Sequence, residues 1–207
     1  MSAHVITRNP RSVATNEVRL SYVHLLEPFA FEETQEKKYS VTLLIDKNDT
    51  ETLNAIKTAI ANTEEYGKTK WHNRVPNDLR LPLYDGDDKA DRHAEYKNCY
   101  YINAKSDAAH PPIVMDKDKS IINMARSAEL YSGCYAEVIL EFYPYSHQGM
   151  SNGISCSIRA VVKTKDGDPL GGSGSSFTPT DVSAEFGLID DDNNVADKID
   201  SLLPDRV

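Results

Sequence analysis

The chain has 207 residues, of which 40% are hydrophobic and 27% are charged. This composition is typical of a folded domain with one sizeable core, and it excludes an intrinsically disordered chain. No apolar run approaches the roughly 20 residues that a membrane-spanning helix needs, and residues 1–8 lack the apolar core of a signal peptide. Three cysteines without a C-x-x-C pair argue against a disulfide scaffold or a Cys-rich zinc site, and they predict a reducing compartment.

The net charge of −9 is unevenly distributed along the chain. Eight acids and two bases give residues 178–207 a charge of −6, which leaves −3 for residues 1–177. The chain therefore combines a nearly neutral body with an acidic tail.

The first third of the chain predicts strands and one helix. Residues 1–16 are polar and without periodicity, so we expect a flexible arm. Alternating apolar residues predict strands at 18–22 and 38–46. Asn48, with Glu51 three residues later, resembles a capping box. The helix that it predicts has an apolar stripe and a stop signal at its end. Leu53, Ile56 and Ile60 form the stripe, and Gly67 is the stop signal.

Residues 68–97 lose all periodicity, and a loop of this length in a compact domain is usually functional. Strands return at 98–105, 113–116 and 134–145. Asn152-Gly153 predicts a hairpin turn into a perfectly alternating return strand.

The number of strands, the single helix and the long insertions suggest a mainly β, OB-fold-like, partly open barrel over residues 17–170. Periodicity alone leaves a jelly roll open. Residues 171–177 are a Gly/Ser linker, and residues 178–207 form the flexible acidic tail.

Basic and aromatic side chains suggest binding of single-stranded nucleic acid, because aromatic faces stack on bases and cations hold phosphates. The only tryptophan, Trp71, lies in a basic window of the long loop, and further tyrosines and bases lie on the later strands. The candidate residues are Lys68, Lys70, Trp71, Arg74, Arg80, Tyr100, Tyr101, Lys105, Tyr143, Tyr145 and Arg159.

The acidic tail suggests a second function. A tethered anionic segment has an effective concentration on the order of millimolar, so it can compete with DNA for a cationic groove. It can also recruit basic partner proteins. The acids that we assign to this role are Asp190, Asp191, Asp192, Asp197, Asp200 and Asp205.

Two other functions remain open at this stage. Asp85, Asp87, Asp88 and His93 are hard ligands that could hold Mg²⁺ in a nuclease. A jelly-roll subunit of a virion is the other alternative. The sequence contains no P-loop and no catalytic histidine motif, and these absences alone do not exclude an enzyme. Because the basic and aromatic residues favour binding, we expect a non-enzymatic protein without a cofactor or metal.

Several segments, taken in their order and spacing, carry a family resemblance. They are Val18–Leu25, Lys38–Ile45, Leu81–Asp87, Tyr101–Ser106, Pro112–Asp116, Tyr131–Tyr135 and Lys165–Gly172. Together they resemble the single-stranded-DNA-binding proteins of tailed bacteriophages over most of residues 17–177.

The resemblance implies an OB-fold core, sequence-tolerant DNA binding in phage replication or recombination, and a tail that contacts replication proteins. It places the protein in the cytoplasm of the infected bacterial host, with no membrane partner. Whether the chain forms a homo-oligomer stays open.

Overall fold

The computed structural model describes residues 2–30, 32–147 and 151–170, and these residues contain nine β-strands and one α-helix. The helix is α1 (Thr50–Gly67). The strands are β1 (His4–Val5), β2 (Ser12–Ala14), β3 (Val18–Phe29), β4 (Lys38–Asp46), β5 (Leu83–Asp85), β6 (Cys99–Asp107), β7 (Ile113–Asp116), β8 (Tyr135–His147) and β9 (Ser151–Lys165). The predicted linker 171–177 and the tail 178–207 lie outside the described residues.

All nine strands belong to one curled sheet, in the order β1-β2-β8-β3-β4-β6-β5, with β9 on the other side of β8. Strand β8 organises the sheet because it pairs with β3 at Ala136, with β2 around Leu140, and with β9 along almost its full length. All of these pairings are antiparallel, whereas β7 runs parallel to β9.

The sheet closes without a complete ladder. No strand pairing joins β6 to β9 among the described residues, but the Ser106 hydroxyl on β6 donates a 2.7 Å hydrogen bond to the Ile158 carbonyl on β9. The resulting barrel is partly open between these two strands. The predicted mainly β, OB-fold-like architecture is confirmed.

The core lies inside the curl and is covered by α1. Ile56 is fully buried, as are Leu43 on β4 and Ile102 on β6. The alternation predicted for β8 is also confirmed, since the residues of one face are at most 2% exposed. That face consists of Ala136, Val138, Leu140 and Phe142.

Two local predictions are wrong. Residues 2–16 are not a flexible arm: β1 and β2 pair with each other, and β2 continues the sheet alongside β8. Asn152-Gly153 is not a turn, because both residues lie within β9, opposite Ser146 and Tyr145. Gly153 is favoured there by close packing, since a Cβ would lie 2.8 Å from the backbone carbonyl oxygen of Arg80.

Candidate nucleic-acid interface

The outer face of β3, β4 and β6 carries a cavity of about 690 Å³. The segment that connects β5 to β6 forms its opposite wall. The polar and aromatic residues that line it are Tyr22, His24, Ser40, Thr42, Asp88, Lys89, Asp91, Arg92, His93, Tyr96, Asn103 and Lys105. We refer to it as the first cavity.

The wall of the first cavity is held in place by aromatic packing. Tyr96 is 3% exposed and makes an edge-to-face contact with Tyr101, with ring centroids 5.2 Å apart. The Lys89 ammonium lies 4.2 Å from the centre of the Tyr101 ring. Burial raises the pKa of Tyr96 to about 12, so its hydroxyl stays neutral at physiological pH.

A second cavity, of about 570 Å³, lies where the barrel is open between β6 and β9. It is lined by Lys38, Lys105, Ser106, Asp107, His110, Tyr143, Ser155, Ser157 and Arg159. Lys105 lines both cavities. Alternate residues of β6 face outward, and Lys105 is one of these outward-facing residues. We call the two cavities together the groove.

Two β-bulges contribute residues to the groove. Ser21 pairs with Thr42 and His24 with Ser40, so β3 has one extra residue beside Tyr22. On β9, Ala160 pairs with Ile139 and Ile158 with Leu140, which leaves Arg159 as the extra residue. A bulge interrupts the regular alternation of a strand and redirects a side chain.

The groove has a mixed but mainly positive lining of five Lys/Arg and three Asp side chains. Arg159 pairs with Glu141 at 2.7 Å, and Lys38 lies 3.1 Å from Glu36. Lys105 makes no ion pair with any described residue. The His110 ring, 2.7 Å from the Asp107 carboxylate, lowers the pKa of that carboxyl.

Trp71 is a core residue, which corrects its predicted role. The indole is 4% exposed, and its Nε1–H donates a 3.0 Å hydrogen bond to the Tyr145 carbonyl. Since no face of the ring is open to a base, we remove Trp71 from the stacking residues.

The basic window around Trp71 lies outside both cavities. Lys68 pairs with Glu65, and the Lys70 ammonium lies 3.4 Å from the Pro144 carbonyl. Arg74 and Arg80 are exposed, and the backbone of Arg80 binds β9 beside Gly153.

The predicted tyrosines separate into different environments. Tyr100 and Tyr101 are neighbours on β6 and therefore face opposite sides; Tyr101 is 7% exposed, and Tyr100 packs against the core beside Lys47. Tyr145 is half-buried.

Tyr143, at 38% exposure, lies in the second cavity with Lys105 and Arg159. The structure thus brings together three of the predicted residues.

Several groove residues were not predicted from the sequence. They are Tyr22, His24, Lys38, Lys89, Arg92, His93, Tyr96 and His110. Tyr22, His24 and Lys38 fall within segments of the family resemblance, which was the one available signal. Lys89 and Arg92 lie among acids in the sequence, and only the fold of the loop turns them toward β6.

Two of the three acids proposed for a metal-dependent nuclease, Asp85 and Asp87, form ion pairs with a lysine, whereas Asp88 lines the first cavity. The Lys47 ammonium lies 2.7 Å from both the Asp85 and the Asp87 carboxylates, where a metal cation would have to bind. These contacts lower the pKa of both carboxyls and raise that of Lys47. Within the described residues, no group of three or more His, Cys, Asp or Glu side chains is arranged to hold a metal.

The sequence and the fold match those of known phage proteins. Residues 11–193 match the model of the family described as the single-stranded-DNA-binding protein of Enterobacter phage Enc34. The chain belongs to this Enc34 family. It is 33% identical over 168 residues to protein p50 of Acyrthosiphon pisum secondary endosymbiont phage 1, an alignment that covers 78% of the chain and 88% of p50.

Solved structures of phage proteins share the fold. The Enc34 protein in complex with single-stranded DNA superposes with a TM-score of 0.69 at 25% identity, over 81% of the present chain and 92% of the Enc34 chain. The bacteriophage T7 single-stranded DNA binding protein gp2.5 reaches 0.57 at 14% identity, over 89% and 98% of the two chains, which shows a common fold alone. No helix among the described residues of this Enc34-family member is long and apolar enough to cross a membrane.

Proposed function

We propose that this Enc34-family protein binds single-stranded DNA along the groove, without sequence preference and without catalysing a reaction. The observation that carries the proposal is the clustering of five cations with exposed rings on a body whose net charge is only −3. The similarity to the Enc34 protein, whose structure includes single-stranded DNA, supports it.

The chemistry of the groove suits an unpaired strand. Cations at Lys38, Lys89, Arg92, Lys105 and Arg159 would contact phosphates, which positions the strand without reading its sequence. Exposed rings at Tyr22 and Tyr143 would stack on bases, and stacking tolerates any base because each has an aromatic face. The three acids of the groove limit its positive potential, so we expect affinity to depend on a few local contacts.

Lys105 is the cation whose loss tests the proposal, because it lines both cavities. We expect Lys105→Ala to weaken binding of a fluorescent dT oligonucleotide and to reduce the slope of log K against log salt by about 0.7, the value for one phosphate on a single strand. Fluorescence anisotropy at several salt concentrations measures both quantities.

The matched control is Lys57→Ala, since Lys57 is exposed on α1 and lines neither cavity. We expect this variant to bind like the wild type. If Lys105→Ala also keeps wild-type affinity and slope, the groove is not the DNA site. Duplex DNA of the same length should bind more weakly than the single strand.

The remaining sequence predictions extend the proposal. Arg74 and Arg80 would be secondary phosphate contacts, as both are exposed and Arg80 lies beside β9. The acidic tail would compete with DNA and recruit replication or recombination proteins of the phage in the infected cell. Its charge of −6 supports this role.

A further inference from the structure

Tyr22 has an unusual backbone for its position in the sheet. It lies within β3, yet its φ is +49°. This left-handed conformation is unfavourable for any residue with a Cβ, and for a bulky side chain it is a true outlier. Residues held in this way are concentrated at functional sites, where the surrounding structure compensates for the strain.

The strain at Tyr22 is not explained by packing. Tyr22 is 47% exposed, whereas its neighbour Ser21 is 3% exposed. A ring that remains half in solvent gains little from burial. The main effect of the bulge in β3 is therefore to redirect the Tyr22 side chain. If the regular alternation continued from Ser21, Tyr22 would face the opposite side of the sheet; the bulge instead places its ring in the first cavity.

The surroundings of Tyr22 fit an unpaired nucleotide. The cavity volume of about 690 Å³ is within the range typical of small-ligand sites. Lys89 and Arg92 line the same cavity and could take a phosphate, while the exposed ring offers a surface for a base.

We infer that Tyr22 is a dedicated base-stacking residue, whose ring is placed by a strained bulge at some cost in stability. This inference rests on the proposed function, and it adds one property: replacing Tyr22 with glycine should harm DNA binding and not the fold. Glycine adopts a positive φ without strain.

Tyr22→Gly tests the inference, with Tyr84→Gly as the matched control. Tyr84 is 46% exposed on β5, outside both cavities and with a φ that is not positive. We expect Tyr22→Gly to weaken dT binding by about 5- to 150-fold, the range for one lost stack, while its melting temperature stays at or above that of the wild type. Tyr84→Gly should show the opposite pattern. Its melting temperature should fall, because the Tyr84 ring stacks on Tyr101 with centroids 5.2 Å apart and this contact is lost, while its affinity should change much less than that of Tyr22→Gly.

Two further measurements complete the test. Fluorescence of an oligonucleotide carrying 2-aminopurine should be quenched by the wild type and by Tyr22→Phe, but only weakly by Tyr22→Gly. If Lys105→Ala weakens binding and Tyr22→Gly does not, the groove stands and the inference fails. If neither variant changes affinity, the proposed function fails. If Tyr22→Gly melts as low as Tyr84→Gly, the strain argument is overturned.

Discussion

The indole of Trp71 joins the end of α1 to the far part of β8. Its ring packs against Gly67, where a Cβ would lie 2.7 Å from two ring carbons. Gly67 has a φ of −72°, so this glycine is needed for close approach and not for a left-handed turn. The sequence predicted a stop signal at this glycine, and α1 does end there, but for a different physical reason.

Trp71→Phe should lower the stability of the protein without a direct effect on DNA. The substitution removes the 3.0 Å hydrogen bond from the indole to the Tyr145 carbonyl, and one such bond contributes about 0.5–1.5 kcal/mol. It also leaves part of the buried indole volume unfilled, which adds to the loss. Urea denaturation followed by circular dichroism measures the loss. At a temperature where both proteins are folded, the affinity for dT should agree within about twofold, roughly 0.4 kcal/mol. Weaker DNA binding at unchanged stability would contradict the core assignment.

The burial of Trp71 could not be predicted from its neighbours in the sequence. Lys70 and His72 on either side are exposed, and the hydrogen-bond partner lies 74 residues away. Lys105, in contrast, was predictable as an outward-facing residue because β6 alternates regularly. The local sequence pattern determines which side of the sheet a strand residue faces, whereas the segments that pack on that side come from distant parts of the sequence.

At the scale of elements, β6 and β9 are held together at the opening of the barrel by a side-chain hydrogen bond and not by a backbone ladder among the described residues. Ser106 is 5% exposed, and its bond to Ile158 crosses a boundary where the described strands form no ladder. The second cavity lies at the same boundary. The barrel is therefore closed enough to bury its core and open enough to leave a cavity beside Lys105.

Ser106→Ala should weaken this closure. The Ile158 carbonyl would lose its 2.7 Å partner, and we expect the free energy of unfolding to fall by about 1–3 kcal/mol. Amide exchange at β6 and β9 should accelerate more than exchange at β3. The control is Ser120→Ala, at an exposed serine, which should leave both measurements unchanged. Equal stability of the two variants would show that backbone pairing alone holds the barrel.

The elements differ in how well the sequence predicted them. Strand β4 was placed to the residue because of its alternation, and β7 because Pro111-Pro112 precedes it. The helix α1 ends at Gly67, where a stop signal was predicted. Strands β1 and β2 have two and three residues, too few to show a period, and their pairing with each other and with β8 was missed. The helix begins after Asp49 and not Asn48, since the Asp49 carboxylate accepts from the Thr52 amide.

At the scale of the whole molecule, the distribution of charge matters more than its sum. The sequence alone divides −9 into −3 for residues 1–177 and −6 for the tail. It does not show where cations gather, because Lys38, Lys89 and Arg159 come from three distant segments and meet only in the fold. A protein with a negative total can therefore present a positive groove to DNA.

Deleting residues 178–207 tests whether the tail competes for that groove. The deletion changes the net charge from −9 to −3, so we expect tighter binding of dT at low salt. The gain should shrink as salt rises, because screening weakens the attraction of both the tail and the DNA for the same cations.

A variant of the 207-residue chain with the six assigned tail aspartates changed to asparagine separates charge from length, because two acids and two bases then remain in residues 178–207. If charge is the cause, this variant should bind as tightly as the deletion, since a neutral segment of equal length would not compete. Tight binding by the deletion alone would instead point to steric exclusion, as the segment would then obstruct the DNA whatever its charge. Unchanged affinity in both would leave the tail without a role at the groove.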